Sequence, residues 1–139
     1  MKKYVYLILA LSAVGAAISA ILLLQHYYPD SGPGSLFCGS GIVNPCLTLA
    51  LSGNSTLFGM PLAAMGLLWH LTAVFIILIA DYAGDRYYAH SLALLLPLAG
   101  AAVVADLALG AVLIATRLFC ALCIATYFVN AAVLAALIL

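Results

Sequence analysis

Four cysteines are the residues of this 139-residue chain with redox and nucleophilic chemistry of their own. Cys120 and Cys123 form a C-x-x-C at the start of an apolar stretch, where a helix N-terminus favours a thiolate. Residues three and four apart share a helix face, so Cys120, Cys123, Tyr127 and Asn130 are expected in one polar stripe on an otherwise apolar helix. Such groups at membrane depth are costly unless they have work or partners. At 1.5 Å rise per residue Cys123 lies about 4.5 Å deeper than Cys120. Cys120 is therefore expected to face the aqueous loop pair, Cys38 and Cys46, and Cys123 the bundle interior. Cys38 and Cys46 frame a second short loop, bent by Gly39, Gly41 and Pro45, that a bridge can close. Two dithiols in series make an exchange relay, each step a thiolate attack through a mixed disulfide. A relay needs a terminal electron acceptor. With no nucleotide motif present, a quinone fits: it is apolar, takes two electrons, and offers carbonyls to donors such as the Tyr127 hydroxyl and the Asn130 amide.

The elements that must hold these residues are membrane helices. Charged residues are 6% of the chain, against roughly 25% in soluble proteins, and hydrophobic residues are 68%, with a mean hydropathy of +1.31. A water-soluble domain this small cannot hide so much apolar surface. A net charge of +0 leaves no electrostatic footprint for nucleic acid. Four stretches can cross a bilayer: Tyr4–Leu24, about Gly59–Ala80, about Ser91–Ala115 and about Cys120–Leu139. Met1-Lys2-Lys3 resembles the start of a secretory signal, but the apolar run continues through Leu24, so the first span reads as an uncleaved anchor. Small residues at Gly15-Ala16-Ala17 and Ala99-Gly100-Ala101-Ala102 suit close helix packing. The expected fold is an all-α integral-membrane four-helix bundle in one domain over 1–139. A long outer loop, 25–58, carries a short surface helix near Leu47–Ser52; residues 81–90 and 116–119 are short links.

Lys2, Lys3 and Arg86 fall on one side of the membrane and Arg117 on the other. The positive-inside rule then puts both termini and the 81–90 link in the cytoplasm, and all four cysteines on the outer, oxidising side of a plasma membrane. Asp106 is the only acid well inside a span, and His70 stands at similar depth. They are read as a buried pair or a proton relay, with an interhelix hydrogen bond as the structural alternative. Tyr27, Tyr28, Tyr87 and Tyr88 read as an aromatic belt at the interfaces. The wide Cys38-x7-Cys46 spacing is unlike zinc modules, so no metal is expected.

The order of these features resembles the vitamin K epoxide reductase family of membrane thiol–quinone oxidoreductases. The resemblance rests on Cys38-x7-Cys46, Ser52, Phe58-Gly59-Met60-Pro61-Leu62, and Cys120-Ala121-Leu122-Cys123-Ile124-Ala125-Thr126-Tyr127 with Asn130. It implies a four-helix bundle around a quinone of the ubiquinone, menaquinone or vitamin K type. It further implies that Cys38 and Cys46 are the shuttle pair, that Cys120 exchanges with Cys46, and that Cys123 meets the quinone. Tyr127 would hydrogen-bond a quinone carbonyl, Ser52 would position the relay, and Phe58 and Gly59 would shape the start of span two near the ring. Many prokaryotic members carry a fused thioredoxin-like domain, so here a separate thioredoxin-fold protein on the outer face is the expected thiol donor, to a monomer in the lipid.

The expected function is electron transfer from that partner through both cysteine pairs to quinone, forming disulfides in exported proteins. An alternative with the same cysteines is reduction of vitamin K epoxide and quinone to hydroquinone. A small multidrug-type transporter would need a membrane-embedded acid, usually on span one, and Tyr4–Leu24 has none. A structural membrane subunit would let all four cysteines become serine without loss.

Overall fold

The computed structural model describes residues 2–28, 48, 53 and 56–139. The expected helix near Leu47–Ser52, and most of the outer loop that was to carry it, lie outside these residues. Among the described residues are four long helices, α1 (Lys2–Tyr27), α2 (Leu62–Ala83), α3 (Tyr88–Thr116) and α4 (Ala121–Ile138), all long and apolar enough to cross a membrane. At 1.5 Å per residue the shortest, with 18 residues, spans about 27 Å, close to the thickness of a bilayer's hydrocarbon core. Large apolar side chains point outward on every helix, among them Leu68, Phe75, Val104, Leu107 and Phe128. In water such a surface would aggregate; in lipid it is the ordinary exterior.

Each helix packs on two neighbours, closing the ring α1–α2–α3–α4–α1. Glycines set the α1–α2 register: Gly66 lies against Ser19, and Gly15 against the His70 ring, so the two helices run antiparallel. On the other side of the ring Gly110 faces the Tyr127 ring and Asp106 meets Asn130, an antiparallel α3–α4 register. The interior is layered. An apolar cluster at one end joins Val5, Ile8, Ala73, Ile77, Ala80, Tyr88, Leu95, Ala99, Val133 and Ala136. A smaller one at the other end joins Leu113, Cys120 and Leu122. Polar side chains fill the level between them.

Several boundaries differ from the sequence expectation. Span two does not begin at Gly59: Thr56–Leu57 (β1) and Met60–Pro61 (β2) pair as a two-residue antiparallel hairpin before α2. Its turn, Phe58-Gly59, has φ of 53° and 79°, the positive-φ pattern of tight hairpins, and Pro61 stands at the N-cap of α2. The 81–90 link shrinks to Gly84 and a 3-10 turn, Asp85–Tyr87. Helix α2 continues to Ala83 because its next residue, Gly84, can take φ 98°, ψ 169° while its N–H bonds the Ala80 carbonyl at 3.1 Å. The Tyr88 hydroxyl then donates to Asp81, tying the two helix ends, so the buried Tyr88 is a clasp and not a belt residue. Gly100, expected at a close approach, meets nothing within 4 Å; Ala99 beside it makes the contact.

Candidate functional site

Cys120 is the N-cap residue of α4, and its Sγ accepts the Cys123 amide hydrogen at 3.3 Å. An extended N-cap backbone (φ −97°, ψ 105°) ends the Arg117–Cys120 turn and aims the thiol at the helix's unpaired amides. A negative charge on sulfur is favoured at this position. The turn itself is set by Arg117, whose left-handed φ of 54° caps α3. Cys120 and Cys123 thus stand one turn apart on the same helix end, as the spacing predicts.

The two thiols differ in exposure. Cys120 has 0% exposure and Cys123 is half-buried. The fully covered thiol is therefore the one at the helix end, in a cluster with Leu113 and Leu122. Leu118 of the α3–α4 turn and Ile18, Ile21 and Leu22 of α1 pack against this cluster.

Tyr127 lies one turn below Cys123 on the stripe, half-buried, with its ring beside Gly110 of α3. An ideal Cβ at Gly110 would come within 3.8 Å of Tyr127 Cε2, so the glycine leaves ordinary contact distance for the ring. Asn130, a further turn down, is buried and its amide is engaged twice. Asn130 Oδ1 accepts from the Trp69 indole N–H at 3.1 Å, and Nδ2 donates to Asp106 Oδ2 at 2.8 Å. The two bonds link α2, α4 and α3 near mid-bilayer.

His70 and Asp106 are at that level without pairing. Asp106 takes Asn130 as its partner, while the His70 ring, fully buried, seats on Gly15. Among the described residues neither ring nitrogen of His70, nor the nearby Ser12 hydroxyl, has a hydrogen-bond partner. Phe58 and Gly59 form the hairpin tip at the head of α2, with the Phe58 ring 94% exposed. Cys38, Cys46 and Ser52 lie outside the described residues. Sequence reasoning missed Trp69, although the chain's one tryptophan, placed mid-span with a donor that needs a partner, was a readable signal.

The model of the vitamin K epoxide reductase family matches residues 6–138, nearly the whole chain. The chain belongs to the vitamin K epoxide reductase family. No curated protein and no solved structure matches it. Membership makes it a multi-pass membrane oxidoreductase whose chemistry involves quinone, in agreement with the four apolar helices. The side chains at the thiol end fit such a ligand: Tyr127 supplies an O–H donor, Cys123 a thiol, and their neighbours Ile18, Ile21, Leu22 and Leu113 are apolar. No group of three or more His, Cys, Asp or Glu able to hold a metal occurs among the described residues.

Proposed function

We propose that this family member is a thiol:quinone oxidoreductase that forms disulfides for exported proteins. A thioredoxin-fold dithiol protein on the outer face reduces the Cys38–Cys46 pair. That pair reduces Cys120–Cys123, and the electrons leave to a membrane quinone. The observation that carries the reading is Cys120 at the N-cap of α4, with Cys123 and Tyr127 one and two turns further along the same interior stripe.

Each residue has a distinct task in this scheme. Cys120, held by the Cys123 amide, exchanges with the outer pair, and its place at the helix N-terminus favours the thiolate that such exchange needs. Cys123 donates electrons, and the Tyr127 hydroxyl orients the acceptor. The quinone supplies a two-electron sink soluble in lipid. Electrons run inward because a quinone pool is more oxidising than a protein dithiol.

The test is Cys123→Ala, assayed with a purified thioredoxin-fold dithiol protein and a soluble quinone analogue. Quinone reduction is expected to be lost while the partner is still trapped on Cys38 as a mixed disulfide. Normal quinone reduction by this variant would overturn the assignment. Supplying an epoxide in place of the quinone, with dithiothreitol as reductant, separates the epoxide-reducing alternative.

A further inference from the structure

Trp69, Asn130 and Asp106 make a hydrogen-bonded chain whose direction is fixed by chemistry. An indole N–H can only donate, so the Asn130 oxygen must face Trp69 and its NH2 must face Asp106. The chain therefore ends by donating to Asp106 Oδ2, and a carboxyl oxygen accepts such a bond whether the group is charged or neutral. Asp106 can gain or lose a proton without breaking the link that positions it. Its surroundings give that proton a consequence. From α4, Cys123 and Tyr127 stand two turns and one turn from Asn130, whose amide bonds Asp106, and Gly110, one turn along α3 from Asp106, lies against the Tyr127 ring. From α2, His70 stands at the same depth. Helix α1 carries no titratable side chain between Tyr6 and His26. At this depth two nearby negative charges are costly together, so ionisation of a thiol and ionisation of the carboxyl are linked.

We propose that Asp106, gripped by the Trp69–Asn130 donor chain, is the proton-exchanging group of the reactive stripe, titrating in step with the Cys120–Cys123 couple. This rests on the reading of Cys120 and Cys123 as that couple. As Cys123 ionises, Asp106 takes up a proton. When the two sulfurs join, the thiols have lost two electrons and two protons, the quinone has gained both to become hydroquinone, and Asp106 returns to its starting state. Trp69 and Asn130 are positioning residues that act through Asp106.

The experiment is a redox titration of Cys120–Cys123 across a pH series. It uses the detergent-solubilised full chain without quinone, in a Cys38→Ser/Cys46→Ser background so that one pair titrates, and mass shift on thiol alkylation as the readout. A group whose protonation follows the couple adds a break to the plot of midpoint potential against pH. The break is expected with Asp106 present, lost in Asp106→Asn, and moved along the pH axis in Trp69→Phe and Asp106→Glu. Asp106→Asn still offers Asn130 an oxygen, so its thermal unfolding is expected to stay near wild type. An Asp106→Asn profile superimposable on wild type overturns the proposal. If that variant does not fold, Asp106→Glu decides, and an unmoved break there overturns it equally. A parent chain in which Cys120 and Cys123 never form a disulfide would instead refute the underlying assignment of the couple.

Discussion

Among single residues, Gly15 shows how one missing side chain organises a helix pair. A Cβ at this position would lie 2.2 to 2.6 Å from three ring atoms of His70, distances that real contacts do not reach. The small-residue run Gly15-Ala16-Ala17 suggests backbone against backbone, yet the space is filled by an imidazole. That ring could not have been anticipated, because the run states only that room exists and not what enters it. Gly15→Ala is expected to destabilise the bundle by about 1–3 kcal/mol through overpacking. The Gly15→Ala/His70→Ala double variant should recover part of that loss, since the second change empties the space the first one needs. Thermal unfolding of both singles and the double in detergent checks this; strictly additive losses would show that ring and glycine do not couple.

At the level of elements, the helix ends carry more information than the apolar spans. Periodicity and hydropathy located all four helices but not their limits, because a membrane helix is apolar on every face and has no polar edge to mark its end. The limits come from local backbone chemistry instead. Gly84 ends α2 in a φ/ψ region that only glycine adopts readily, and no atom lies within 4 Å of where its Cβ would be. Gly84→Ala is therefore expected to cost about 1–3 kcal/mol from backbone strain alone. A lowered unfolding midpoint with unchanged thiol reactivity is the expected result, since Gly84 lies at the opposite end of α2 from the hairpin. Loss of Cys123 labelling without loss of stability would contradict it. The hairpin before α2 was equally hidden in the sequence: two-residue strands are too short for any alternation to register, and Phe58 is an unusual residue for positive φ.

For the molecule as a whole, the closed ring of four antiparallel helices puts the Arg117–Cys120 turn and the α2–α3 turn at opposite ends. Three of the four basic residues, Lys2, Lys3 and Arg86, share the end away from the thiols. By the positive-inside rule we propose that this end is the cytoplasmic one. A cysteine at the exposed Phe119 should react with an impermeant maleimide applied to the outside of intact cells, while one at the exposed Tyr87 should react only after permeabilisation. Both substitutions belong in a background with the native cysteines blocked. The reverse pattern would invert the molecule and put its thiols on the reducing side, against a role in disulfide formation.

Covalent spacing and solvent preference were sufficient to derive the lipid environment, the number of spans and the Cys120–Cys123–Tyr127–Asn130 stripe, while the family came from the resemblance of its motifs. These depend on composition and on the 3.6-residue turn, both local to the chain. Only the folded bundle decided that Cys120 is the covered thiol, that Asn130 is committed to Trp69 and Asp106, and that His70 packs on Gly15 without pairing with Asp106. Those facts depend on which helix faces which and at what register. Along an almost uniformly apolar sequence that choice rests on a few glycines and hydrogen bonds between helices, whose partners lie up to 61 residues apart.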